Sequence, residues 1–249
     1  MFKAASFLEK PHTRRLDFSS GHLVCEKFIT STDARREMIG VQRGENQGAR
    51  LVACGQICFG VFIVVCVALH PGFVLKWNEG GMSDYGAHLE TAGPYTLALL
   101  GLAEFSRRAA SLYRHGDRTT RRLQQVLYAY SAIVLVMLVS TYVYTLNVAL
   151  RDFHFGFGTV LILFEVSSSV WMFLLFRRVV WDGVFLAMQL AGSVLSLITI
   201  VGVLHVLFFA EMLTGAGFAG LLIHTSRCIS SGVVTTTRAS EHGLRDAIS

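Results

Sequence analysis

Charge is scarce in this chain. Only 16% of its 249 residues are Asp, Glu, Lys or Arg, where a soluble domain of similar size carries nearer to a quarter. Three prolines and the lack of any low-complexity tract exclude a fibrous or largely disordered chain. No P-loop, GxSxG or HExxH pattern occurs, so nucleotide hydrolysis and the familiar hydrolase mechanisms have no sequence support. Residues 1–50 hold no apolar run long enough for the core of a signal peptide. The cysteines are Cys25, Cys54, Cys58, Cys66 and Cys228, three of them inside one apolar run, and they form no readable disulfide framework. Cys54 and Cys58 lie one helical turn apart, but no second soft-ligand pair exists. Packing as small apolar groups is the simpler reading, and no cofactor or metal is implied.

What the chain has is apolar length. Hydrophobic residues make up 53%, gathered in six segments at about 51–69, 94–113, 123–150, 157–176, 184–208 and 213–229. A helix needs ~20 apolar residues to cross ~30 Å of hydrocarbon, and in lipid only a helix satisfies its own backbone over such a run. The expected fold class is therefore an all-α integral membrane protein, a six-transmembrane-helix bundle. The expected organisation is a basic arm (1–50), a transmembrane domain (51–229) with an outer loop at 70–93, and a tail (230–249). Within the arm, residues 31–50 are expected to form a short amphipathic helix with Met38, Ile39 and Val41 on its apolar side.

The basic residues choose the orientation. Of the 22 lysines and arginines, nine lie in residues 1–50, six between Arg107 and Arg122, two at Arg177 and Arg178, and three between Arg227 and Arg245. Only Lys76 and Arg151 fall on the opposite side. By the positive-inside rule both N and C termini are cytoplasmic and the number of spans is even. The net charge of +5 is then an orientation signal rather than a nucleic-acid surface. A multi-pass protein of the cell membrane is expected, with no nucleic-acid partner.

The outer loop, HPGFVLKWNEGGMSDYGAHLETAG, is the densest group of reactive side chains outside the tails. Gly80, Gly81 and Gly86 permit tight turns, Trp77 suits the headgroup level, and Ser83 or Asp84 is placed to cap a short helix running towards Pro94. Small residues one turn apart, including Gly192/Ser196 and Ala216/Gly220, suggest close helix approach. The pairs Tyr128/Tyr130 and Tyr142/Tyr144 fit interfacial aromatic belts. Glu104 is placed to pair with Arg108, Asp182 to lie at the cytoplasmic interface, and Glu211 to lie at an outer turn within reach of water.

Glu165 stands apart. It precedes Arg177 by twelve residues, ~18 Å above the cytoplasmic edge, where a carboxylate is costly unless protonated, paired or wetted. Ser168 and Ser169 share its face. It is either a protonated link between helices or a site for proton coupling, headgroup contact or general-acid work. The candidate ligand-binding residues are Glu165, Asp84, His88, His70, His154, His205 and Glu211. Several of these could also hold zinc and activate a water.

In GGMSDYGAHLETAGPYTLALLGL, the Ser83–Asp84–Tyr85–Gly86 turn followed by an acid and Pro94 resembles uncharacterised bacterial polytopic membrane proteins. More remotely it is similar to the DRAM/Sfk-type six-helix membrane family. That resemblance implies six helices and a lipid-linked or organising role. Ser83, Asp84 and His88 also resemble the Ser, Asp and His of ceramidase and adiponectin-receptor-type hydrolases, without that superfamily's histidine pair on the last helix. Three functions are thus expected to compete. The first is a non-enzymatic protein binding a membrane lipid or a membrane-protein partner. The second is a small transporter or proton-coupled carrier using Glu165, working as a homodimer. The third is a zinc-dependent lipid hydrolase.

Overall fold

A computed structural model describes residues 21–75, 81–114, 117–175, 180–202, 204 and 206–231, with side chains from residue 44 onward except those of residues 45 and 75. The described residues are helical throughout, with no strand among them: α1 (Gly21–Leu69), α2 (Gly72–Leu75), α3 (Ser83–Ala87), α4 (Leu89–Leu112), α5 (Arg118–Val143), α6 (Val148–Leu175), α7 (Val180–Ile200) and α8 (Leu207–Ser230). The described residues divide into two compact units, one ending at Gly40 and the other beginning at Val41. In the first, the described backbone is helical from Gly21, and the side chains of the expected amphipathic stretch up to Arg43 lie outside the described residues, as do Lys76, Trp77, Arg177, Arg178 and the tail from 232.

Five helical stretches are long and apolar enough to cross a membrane: Asn46–Leu69, Arg118–Val143, Val148–Leu175, Val180–Ile200 and Leu207–Ser230. The sixth expected span, α4, is as long as the others at 24 residues but falls short in apolarity, because Glu90, Glu104, Arg107 and Arg108 lie within it. Glu104 pairs with both arginines, at 2.8 Å to Arg107 and 2.6 Å to Arg108.

Local chemistry sets the ends. Asp117 opens α5, its Oδ1 accepting from the Thr120 backbone N–H at 2.9 Å and from the Thr120 hydroxyl at 2.8 Å, which satisfies donors the first turn leaves open. Asn147 does the same for α6, accepting from the Leu150 N–H at 2.9 Å. The outer loop is less irregular than its glycines suggest, since α2, α3 and the first turn of α4 occupy most of it.

The core lies between α4, α5 and α8. Leu99, Leu102, Leu123, Leu127 and Val134 are buried together with Phe218, Leu221 and Leu222, and the Tyr130 and Phe218 rings meet at 4.9 Å. Outward-facing Ile57, Val64, Val139, Leu163 and Val194 are all more than half exposed, an apolar periphery suited to lipid. The tyrosine pairs split: Tyr128 and Tyr142 face outward, while Tyr130 and Tyr144 are buried at 5% and 8% exposure. Two residues on a helix are ~200° apart, so one belt residue of each pair must turn inward.

Candidate functional site

A cavity of about 310 Å³ opens inside the bundle, with walls from α1, α4, α5, α6, α7 and α8 and a roof from Met82 and Ser83 at the start of α3. That is the size of a small-ligand site. Most of its wall is apolar, through residues such as Phe59, Leu99, Leu102, Val134, Leu161 and Met212. Its polar groups are Gln56, Ser83, Tyr95, Tyr130, His154, Glu165, Ser196, Glu211 and Thr214.

Three of the seven residues singled out from sequence meet here. Glu165, on α6, is buried at 5% exposure and stands beside the Gln189 amide of α7, whose nitrogen and oxygen make no hydrogen bond of normal geometry. Glu211, on α8, is close enough to Glu165 for the two carboxyls to sense each other's charge. No basic side chain among the described residues pairs with either. Glu211 lies within α8 rather than at the turn before it, half-buried, and its Oε2 accepts the Met82 backbone N–H at 2.6 Å, tying α8 to the roof. His154, on α6, is also buried, with Nδ1 2.8 Å from the Ser140 hydroxyl and Nε2 2.9 Å from the Ser83 hydroxyl. A neutral imidazole donates with one nitrogen and accepts with the other, so His154 joins α5, α6 and α3 through hydroxyls.

The other four are elsewhere. Asp84 accepts from the Tyr144 hydroxyl at 2.7 Å, and burial, together with that carboxylate, holds the Tyr144 phenol above its ordinary value. Neither Ser83 nor Asp84 caps α3, because Met82 precedes the helix and both side chains are drawn to distant partners. His88 is exposed, its Nδ1 2.8 Å from the Asp84 carbonyl. His70 stacks on Phe73 with centroids 4.3 Å apart, and Phe73 in turn meets His88 at 4.3 Å and Tyr85 at 5.3 Å. His70 and His88 thus belong to an aromatic cluster around the roof. The Tyr85 phenol beneath it is fully buried and pushed up to about 12, mainly by desolvation. His205 lies outside the described residues. Among the described residues no group of three His, Cys, Asp or Glu side chains is arranged to hold a metal ion.

Sequence reasoning missed Gln56, Tyr95, Tyr130, Ser196 and Thr214 as cavity residues. Ser196 and Thr214 are buried with hydroxyls that find no partner, and the Gln56 amide nitrogen, beside Tyr130, makes no hydrogen bond of normal geometry. The readable signal was a lone Gln inside the first apolar run; serine and threonine are too common in membrane helices to stand out. Chemically, the cavity offers hydrogen-bonding groups and two acids among apolar walls, Glu211 directly under α3 and Glu165 about three turns along α6 from His154. No protein-family model, curated protein or solved structure matches this chain.

Proposed function

We propose that this is a six-span, multi-pass protein of the cell membrane with both termini in the cytoplasm, and that it holds a membrane lipid or lipid-like amphiphile in the cavity beneath α3. The supporting observation is the make-up of that cavity: about 310 Å³ of largely apolar wall, with unpaired buried hydroxyls and two carboxyls. Buried polar groups are ordinarily hydrogen-bonded, so Ser196 and Thr214 mark where a ligand's polar atoms would be satisfied. In this reading α4 is the sixth span, long enough at ~36 Å, with Glu90 in its first turn and the mutually paired Glu104, Arg107 and Arg108 in its last third. The positions of the basic residues then put both termini on one side. One chain builds the whole cavity, so the reading needs no partner subunit.

The test fills the cavity without touching its polar groups. Gly158 lines the wall, and a Cβ there would meet only Met137 Cε, at 4.0 Å. Saturable binding of a fluorescent phosphatidylethanolamine to the purified protein is expected to weaken about tenfold or more in Gly158→Leu, equivalent to ~1.4 kcal/mol, at unchanged thermal stability. Equal binding by both proteins would count against a lipid in this cavity.

A second reading, a proton-coupled carrier, is favoured by the two acids facing one cavity without a basic partner, since intramembrane carboxyls without counter-ions serve proton relays. Glu165→Gln in pyranine-loaded liposomes under an imposed pH gradient is expected to lower proton flux. Undiminished flux would remove Glu165 from that role.

A further inference from the structure

A second cluster of reactive groups sits at the other end of α8, ~25 Å along the helix from Glu211. Cys228 and His224 lie one turn apart on α8, with His224 Nε2 3.4 Å from the Cys228 sulfur. On its other side, His224 Nδ1 lies 2.7 Å from Asp182 Oδ1, near the start of α7. Asp182 is buried at 1% exposure, while the His224 side chain is 29% exposed and Cys228 is partly exposed. The Asp182–His224 approach is bent from the ring N–H axis, as such links often are before substrate tightens them. The three groups run in a line rather than converging, and none of the described residues forms a metal-holding set. A line of thiol, imidazole and carboxylate is the arrangement of a nucleophile, its base and the group that orients the base.

We propose that Cys228 is a nucleophile that takes a long-chain acyl group from an acyl thioester. The Asp182 carboxylate favours the proton on Nδ1, which leaves the Nε2 lone pair facing the sulfur. His224 removes the Cys228 proton as the sulfur attacks the thioester carbonyl. A new C–S bond forms, the donor's C–S bond breaks, and the departing thiolate takes the proton back from His224. The products are S-acyl-Cys228 and a free thiol, with no redox partner needed. The surroundings suit an acyl chain. Cys228 is two residues from the end of α8, and Val180 and Trp181, which begin α7, are 84% and 66% exposed. Such an apolar, interfacial setting matches a donor whose chain lies in hydrocarbon and whose thioester lies at the boundary.

Full-length protein in lipid nanodiscs, incubated with an alkyne-tagged long-chain acyl-coenzyme A and mapped by mass spectrometry, tests this. Cys54 is the internal control: it is more exposed than Cys228, and no imidazole among the described residues is hydrogen-bonded to it. Expected is hydroxylamine-sensitive acylation of Cys228 well ahead of Cys54. His224→Ala should slow it roughly 100-fold, with partial recovery in added imidazole, which a purely structural role for His224 would not give. Asp182→Asn, a positioning change, should slow Cys228 but leave Cys54 unaltered. Acylation of Cys54 as fast as Cys228, no acylation of either, or a rate indifferent to His224 would overturn the proposal. The Cys228-to-Cys54 comparison needs no variant and stands even if His224→Ala fails to fold.

Discussion

The helix pairs α4–α5 and α7–α8 are the two most extensive in the protein, and they are built on opposite principles. Between α4 and α5, large side chains fill the space: Leu99, Leu102, Leu123 and Leu127 are buried, and the polar groups beside them are paired, the Ser131 hydroxyl donating to the Ala103 carbonyl at 2.9 Å, Tyr95 meeting Thr141 at 3.5 Å and Thr96 meeting Tyr142. Between α7 and α8, the side chains are missing. A Cβ on Gly217 would lie 2.5 Å from the Gln189 nitrogen and 2.6 Å from the Phe185 carbonyl, and one on Gly192 would lie 2.5 Å from the Thr214 nitrogen. Backbone meets backbone there, and the nearby polar groups of Gln189, Ser196, Thr214 and Ser226 find no partner of normal geometry. In lipid, where burying an apolar group gains little over exposing it to acyl chains, both kinds of contact rest on close fit. Only the second leaves polar groups free to act.

The contrast predicts opposite sensitivities. The largest effect belongs to Gly217→Ala, where backbone cannot yield: a loss of about 3 kcal/mol is expected in SDS titration of helix content, and a loss below that of the next variant would break the comparison. Leu127→Ala leaves a void between α4 and α5, and about 2 kcal/mol is expected, the low end for such truncations because the transfer gain is small in lipid. His154→Ala removes the link between the Ser83 hydroxyl and α5, leaving Ser140 its bond to the Met137 carbonyl, and loosens the roof. Roughly 1.5 kcal/mol should emerge as faster hydrogen exchange in α3 with α4–α5 unchanged; uniform acceleration would mean the roof is not a separate unit. Ser131→Ala removes one interhelical hydrogen bond and is expected to cost least, about 0.6 kcal/mol, in the same titration. A cost rivalling Gly217→Ala would show that polar links, not bulk, hold α4 to α5.

The helices were legible because long apolar runs in lipid have one backbone solution; α8, which begins at Leu207 rather than 213, shows how loosely composition marks the ends. Glu165 stood out for its depth, and the structure puts it on the cavity wall. The roles of Ser83 and Asp84 were not legible, because capping is local while their partners, His154 and Tyr144, lie 71 and 60 residues away. Asp182 was readable only as an interfacial acid. Its meeting with His224 depends on how far α7 and α8 rotate about their glycine contacts, which no local pattern encodes. His224 and Cys228 are four apart on one helix face, a spacing the sequence holds, but without Asp182 beside them nothing set the pair apart.

Glu211 also does two things at once. It lines the cavity, and it holds the Met82 N–H, while Gly81, with φ of 62°, wraps so tightly around it that any Cβ there would fall on the carboxylate. A ligand that binds Oε1 can share this carboxylate with the roof, whereas one that takes Oε2 must release Met82. In the topology and function proposed above, a ligand of the second kind makes filling the cavity and releasing Met82 one exchange, so its binding would loosen the loop, and anything that pins the loop would raise the threshold for filling the cavity by the same free energy.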